Sequence, residues 1–264
     1  MEIQSLNDVS FEVAKGEMVA IVGATGSGKS TLVQHLNGLL LPGKGEVLIN
    51  QISTCNKDFR RKLWRIVGLV FQYPEHQLFE ETVYADVAFG PKNLSLPDEE
   101  VCARVKLALK QMGLNYEYIK GLSPLKLSGG EKRRVAIAGV LAIQPEIIVL
   151  DEPTAGLDPI AGKKLLNLLK ELQEQKKITV IIVTHNLKEV ALYADRMIVL
   201  NRGRVVFDGV PREAFIKGSD LFGIGLGMPP VTELMLKLVE RGKPVRKDVL
   251  TVSEAVTEIL RVFK

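Results

Sequence analysis

The sequence predicts an α/β fold built on a parallel sheet, and three observations carry that prediction. Met18-Val19-Ala20-Ile21-Val22 and Ile147-Ile148-Val149-Leu150 are unbroken apolar runs of strand length, the pattern of strands covered on both faces. A helical pattern over about Ile160 to Gln175 separates the second run from a third, Ile178 to Val183, which is strand-helix-strand spacing. Between Pro74 and Gln144 the pattern is mainly helical, so a helical lobe is inserted between strands of the core.

Taken in order, Val9 to Val13 alternates and breaks at Lys15-Gly16, which reads as a strand and a turn. Leu32, Val33, Leu36 and Leu39 have helical spacing. Gly45 to Ile49 and Val67 to Phe71 read as further strands, and Pro91, Pro97 and Pro124 as breaks within the lobe. Arg196 to Leu200 and Arg204 to Phe207 flank Asn201-Arg202-Gly203 and read as a hairpin. A glycine-rich stretch, Gly218 to Gly227, separates a tail with two helical patterns, about Val231 to Arg241 and Ser253 to Phe263. The expected organisation is a core of roughly 1–73 and 144–215, a helical lobe at about 74–143, and a C-terminal helical extension at 216–264.

The bulk numbers suit a protein with a substantial core. The chain has 264 residues, 46% of them hydrophobic and 25% charged. Its net charge of +4 is mild and spread out, so neither nucleic acid nor acidic lipid is demanded as a partner. No apolar run approaches the roughly 20 residues that cross a bilayer, and the first residues lack the layout of a signal peptide. An intracellular chain is expected. Cys55 and Cys102 are far apart and form no metal-type pair, so idle thiols are expected rather than a disulfide.

The firmest chemistry lies in Gly23-Ala24-Thr25-Gly26-Ser27-Gly28-Lys29-Ser30, which matches G-x-x-x-x-G-K-[ST] between an apolar strand and a helix. Glycines let the backbone turn tightly, so that successive N–H groups converge on phosphate oxygens. The following helix adds its positive end. Lys29 would reach the β- and γ-phosphates, Ser30 would hold Mg²⁺ through its hydroxyl, and Thr31 joins the nucleotide-binding set. This loop alone leaves kinases, GTPases and many ATPases open. The run Ile147 to Leu150 ends in Asp151-Glu152. Asp151 at the strand end can bind Mg²⁺ through water, and Glu152 is placed to polarise an attacking water. A carboxylate pair after a strand is also, often, only a solvated strand end.

Leu127-Ser128-Gly129-Gly130-Glu131 decides the class. Ser128, Gly129 and Gly130 expose backbone N–H groups at a helix start, a second anion site. Ser128 with Glu131 three residues on is also an ordinary capping box, and the two readings are compatible. Here the chain resembles the ABC ATPase family, whose signature is L-S-G-G-Q or a close variant. The resemblance covers about residues 5 to 215 and implies a P-loop NTPase (RecA-like) core with an antiparallel β portion. It implies further roles: Gln72 as the Q-loop glutamine that binds Mg²⁺ and water, Asp158 as the D-loop aspartate, and His185 as the switch histidine at the γ-phosphate. His35 reads as structural and His76 as a surface residue. The resemblance also implies a head-to-tail dimer around two ATP molecules, each met by the phosphate loop of one chain and the signature of the other.

Phe71 to Val83, Val87 to Asn93 and Leu127 to Ala138 are similar to the ATPases of energy-coupling factor (ECF) transporters, importers of vitamins or transition-metal ions. That similarity implies an integral membrane coupling subunit, a substrate-capture subunit and a second ATPase chain as partners. It implies ATP and Mg²⁺ as cofactors and a place on the cytoplasmic face of the cell membrane. Tyr73, His76, Leu78 and Phe79 are the candidates for contact with the membrane partner, against local packing as the alternative. Leu234, Leu238, Val256, Ile259 and Leu260 are the candidates for a dimer-holding face in the tail, against folding back on their own domain. The aromatic residue that stacks on adenine in the family lies well upstream of the loop and has no counterpart here, since Phe11 reads as core. Either the true start lies upstream or adenine is held more loosely, with weaker ATP affinity expected in the second case. DNA-maintenance ABC proteins carry long insertions between Q-loop and signature, ribosome-acting ones carry two ATPase units, and a non-enzymatic module would not need Lys29, Asp151, Glu152 and His185.

Overall fold

The computed structural model describes residues 5–216 and 228–263, with the His76 side chain excepted. The strands in chain order are β1 (Met18–Val22), β2 (Leu48–Ile49), β3 (Ile52–Ser53), β4 (Val67–Val70), β5 (Ile147–Asp151), β6 (Thr179–Val183), β7 (Arg196–Asn201) and β8 (Arg204–Gly209). The helices are α1 (Lys29–Leu36), α2 (Lys57–Lys62), α3 (Val83–Asn93), α4 (Asp98–Gln111), α5 (Tyr116–Ile119), α6 (Gly129–Leu141), α7 (Pro159–Lys176), α8 (Leu187–Tyr193), α9 (Pro211–Ile216), α10 (Pro230–Glu240) and α11 (Val252–Phe263).

The described chain forms two compact units. The first is drawn from residues 5–13, 17–31, 183–216 and 228–263. In it β1 is buried along its whole length and pairs in parallel with β7, Val19 opposite Arg196 and Val22 opposite Val199. β7 turns back antiparallel into β8 with a bulge between Val199 and Leu200, and the turn places Arg202 and Gly203 at positive φ. The core of this unit gathers Ala20, Val22, Met197, Val199, Phe207, Phe215 and, from the tail, Leu250. The tail is therefore stitched into the unit that carries the phosphate loop. Arg212 of α9 donates to the Asp248 carbonyl and, at 2.8 Å, to Glu254. Thr232 donates to the buried Val249 carbonyl at 2.8 Å.

The second unit comprises residues 14–16 and 32–182. β4 and β5 pair in parallel, Val67 opposite Ile147, and β6 lies on the other side of β5. β2 and β3 form a short antiparallel pair. α3, α4 and α6 pack on one another through Val83, Val87, Val101, Val105, Leu109 and Ile137, all fully buried. All three helices fall between Pro74 and Gln144 in the chain.

Several local readings are corrected. Val9 to Val13 is not a strand; the Glu12 carbonyl accepts from the Arg196 guanidinium at 2.8 Å instead of joining a ladder. The helix after the phosphate loop ends at Leu36, and Leu39 is exposed, because Gly38 takes a positive φ and closes the helix. The strand read over 45–49 shrinks to Leu48–Ile49, and that read over 67–71 ends at Val70. Pro91 does not break α3; its ring is buried, and the helix runs on to Asn93. The glycine-rich stretch 218–227 lies outside the described residues. The two cysteines are free, Cys55 exposed and Cys102 half-buried.

Candidate functional site

In the first unit the phosphate loop leaves the buried end of β1 and turns into α1 at Lys29. Its shape is fixed by steric exclusion. A Cβ on Gly23 would lie 2.4 Å from the Leu200 carbonyl, and one on Gly28, whose φ is +104°, would lie 2.6 Å from the Ser5 carbonyl. Only glycine fits either position. Backbone bonds then brace the turn, Ser27 N to Ala24 O at 3.1 Å and Gly203 N to Ser27 O at 2.9 Å. Lys29 folds its ammonium over the loop, donating to the Gly23 and Ala24 carbonyls at 2.8 and 3.0 Å. The Ser27 hydroxyl is buried with no hydrogen-bond partner among the described residues. A tight glycine cradle with a lysine ammonium at its rim and a helix start beneath it has the chemistry of a polyphosphate site.

His185 sits in the same unit on the exposed turn after β6. Thr184, fully buried, donates its N–H to the Ile21 carbonyl at 3.2 Å, and its hydroxyl accepts from Asn186 N at 3.0 Å. Asn186 in turn caps α8. The imidazole is thus carried between two anchored neighbours.

The second unit holds the other expected residues. β5 ends at Asp151, and Glu152 follows at φ +49°. A left-handed glutamate costs on the order of 1–3 kcal/mol and persists only when its surroundings hold it. They do. Ala155 N donates back to Glu152 O at 3.1 Å, and the Arg133 guanidinium donates to the Pro153 and Ala155 carbonyls at 3.0 and 2.5 Å. Arg133 is itself paired with Glu75 at 3.1 Å and is 2% exposed. Leaving a buried charge of this kind without its partner costs about 3–5 kcal/mol.

Ser128 caps α6 with a full capping box. Its hydroxyl accepts from Glu131 N at 3.3 Å, and the Glu131 carboxylate accepts from Ser128 N at 3.0 Å and from the Ser128 hydroxyl at 2.7 Å. The hydroxyl bond, ahead of the backbone one, holds the Glu131 carboxyl below the ordinary glutamate range. Gly129 is exposed and Gly130 half-buried, so the start of α6 stays open. Asp158 is exposed and caps α7, accepting from Ile160 and Ala161 N at 3.0 Å. Gln72 is exposed just past β4, and Tyr73 beside it kinks the chain with φ +59°. Lys29, Ser30 and His185 therefore belong to one unit, and Gln72, the signature, Asp151, Glu152 and Asp158 to the other.

Sequence reasoning missed Arg133 and Glu75. The signal was present: Arg133, Ile137 and Leu141 are four apart on α6 and all buried. An arginine on a buried stripe requires a buried or half-buried acid.

Of the partner-contact candidates, Tyr73 and Phe79 are exposed and Leu78 is half-buried. Phe79 stacks edge to face on the exposed Phe89 at 5.0 Å. The His76 side chain lies outside the described residues. In the tail, Leu238 and Ile259 pack into a cluster with Met235, Val245, Val249 and Ala255, whereas Leu234, Val256 and Leu260 face outward.

Comparison with known proteins fits this geometry. The model of the ABC transporter family matches residues 6–155. The chain is 51% identical over 263 residues to the energy-coupling factor transporter ATP-binding protein EcfA2 of Clostridioides difficile (strain 630), covering 99% of this chain and 91% of that protein. The chain belongs to the ABC transporter family, among the energy-coupling factor transporter ATP-binding proteins. The EcfA2 protein of Bacillus subtilis (strain 168) is 44% identical, with 98% and 95% covered. Among solved structures, cbiO1 from Clostridium perfringens, part of the ABC transporter complex cbiONQ, is 41% identical with a TM-score of 0.77, covering 88% of this chain and 92% of that one. The ATP-binding cassette MJ0796, solved as a dimer in a post-hydrolysis state with ADP and Pi, is 35% identical with a TM-score of 0.70, covering 78% and 90%. Family membership makes this ABC protein an ATP-binding, ATP-hydrolysing transport subunit. No helix among its described residues is long and apolar enough to cross a membrane.

Proposed function

We propose that this ABC protein powers an ECF-type importer of vitamins or transition-metal ions, acting as a peripheral subunit on the cytoplasmic face of the cell membrane. The observation that carries the ATP chemistry is the cradle at Gly23–Gly28 with the Lys29 ammonium held over it. Lys29 would bind the β- and γ-phosphates. Ser30, Gln72 and Asp151 would hold Mg²⁺, a cation bound by a few hard oxygens together with substrate phosphates. Mg²⁺ would supply charge neutralisation as the γ-phosphoryl leaves.

Glu152 would orient and polarise the attacking water, and His185 would hold the γ-phosphate. Ser128, Gly129, Gly130 and Glu131 would serve the ATP of a second ATPase chain, with Asp158 beside them. The dimer would close on ATP and reopen after hydrolysis, and an integral membrane coupling subunit would seat on Tyr73 and Phe79. A separate subunit would capture substrate. The extension 216–264 would help hold the two ATPases, with Leu234, Val256 and Leu260 as its outward face.

Glu152→Gln tests the core of this reading. Turnover should fall on the order of 10²-fold or more, while ATP binding is kept and the closed dimer accumulates with ATP. Phosphate-release kinetics, nucleotide titration and size-exclusion chromatography read the three outcomes; near-normal hydrolysis would remove Glu152 from the role of base. Co-purification from membranes, with identification of the bound proteins, tests the partners.

A further inference from the structure

We propose that Arg133 is a positioning residue for ATP hydrolysis, linking the segment after Gln72 to the backbone that follows Glu152. The inference rests on the ATPase reading above. Every contact it uses lies within the second unit.

Three segments meet at this one side chain. Arg133 stands on α6, the helix whose first residues are the signature Gly129, Gly130 and Glu131. Its Nε and Nη2 donate to the Glu75 carboxylate at 3.3 and 3.1 Å. Its Nη1 donates to the carbonyls of Pro153 and Ala155. Glu75 sits in the short 3₁₀ turn Pro74–Gln77, immediately after Gln72 and the kinked Tyr73. Pro153 and Ala155 lie one and three residues beyond Glu152.

A guanidinium is planar and rigid, with its donors fixed in one fork. Turning it to follow Glu75 necessarily reorients the edge that faces Pro153 and Ala155. With Arg133 almost wholly buried, water does not replace a lost partner, so the two sets of bonds are kept or broken together. Glu152 depends on this because its left-handed backbone is a conformation that the following turn must enforce. Displacement of the exposed Tyr73–Phe79 segment by a membrane partner thus has a direct route, through one side chain, to the carboxylate placed to activate water.

The test uses the full chain, with turnover, KM for ATP and thermal midpoint measured on the same preparations. Glu75→Gln keeps the shape and one acceptor but removes the charge and half of the fork. It should lower kcat on the order of tenfold, with KM for ATP within about twofold; the midpoint falls too, because the buried arginine loses its charged partner, so turnover is read at a temperature where both proteins remain folded. Arg133→Lys keeps the charge and loses the fork, and should show the same split wherever it folds; Glu75→Gln decides alone if it does not. Glu75→Asp, which restores the carboxylate, should recover part of the lost kcat. Unchanged kcat in Glu75→Gln, a rise in KM that accounts for the loss, or a loss matched by unfolding would each overturn the proposal. Glu152→Gln run alongside separates the two readings. An inactive Glu152→Gln with a fully active Glu75→Gln refutes only the positioning role, whereas an active Glu152→Gln removes Glu152 from the role of base and with it the residue that Arg133 would position.

Discussion

The phosphate loop and the turn after β5 both leave the C-terminal end of a buried strand, yet they hold their shapes by different means. The loop at Gly23–Gly28 is fixed by what is missing. Without side chains at Gly23 and Gly28, the Leu200 and Ser5 carbonyls come within a distance no Cβ would allow. The turn at Glu152 has no glycine where its backbone is left-handed. It is held from outside, by a buried arginine anchored on another helix and neutralised by Glu75. The first device needs no side chain at two nearby glycines, although the carbonyls they admit come from Leu200 and Ser5. The second is assembled from residues about 20 and 58 positions apart in the chain. The lesson is that a loop shaped by missing side chains and a turn held by a buried ion pair call for different construction.

The comparison breaks most sharply at Gly28. Gly28→Ala puts a methyl group against the Ser5 carbonyl and the Leu6 side chain at a φ that L residues rarely adopt. Destabilisation of about 2–3 kcal/mol is expected, together with loss of ATP binding on the order of 10²-fold; thermal unfolding and nucleotide titration read the two effects. If affinity survives, the cradle is less rigid than its packing indicates.

A smaller effect sharpens the comparison at the signature, where a glycine pair and a side-chain device coexist. Ser128→Ala removes one half of the capping box and should cost about 1 kcal/mol, a fall of roughly 2–4 °C in the unfolding midpoint. The smallest effect is its pH dependence. The Glu131 carboxyl is held below its ordinary range by the Ser128 hydroxyl and N–H, so its folded-state pKa lies under the unfolded one. Its contribution is full above the unfolded value and is lost as pH falls through the folded one. The stability gap between wild type and Glu131→Gln should therefore be present at neutral pH and close as the solution is acidified below the glutamate range. A gap that persists at low pH would show that the helix start is held by shape rather than by the carboxylate.

Legibility followed the same division. The phosphate loop, the capping box at Ser128 and the strand-terminal carboxylates could be read because each is a local pattern with its own chemistry. Val9 to Val13 was misread because alternation does not reveal whether a partner strand is available, and the Arg196 side chain satisfies the Glu12 carbonyl instead. Pro91 was misread because a proline marks a preferred helix end without enforcing it, and here its ring is buried inside α3. In the tail, the five apolar residues share a helical period, but only the structure separates Leu238 and Ile259, which pack inward, from Leu234, Val256 and Leu260, which do not.

By itself the sequence determined that this ABC protein has a parallel α/β core, a glycine loop ending in Lys29-Ser30, a signature helix start and a carboxylate pair after a buried strand. Those features depend on residue type at fixed short spacing, where sterics and backbone hydrogen bonding leave few alternatives. Only the tertiary structure decided that Arg133 joins Glu75 to the carbonyls behind Glu152, and that Leu250 from the tail enters the core beneath the phosphate loop's strand. Such pairings are chosen by long-range burial, which requires a buried charge or a methyl group to find a partner without naming where in the chain that partner stands.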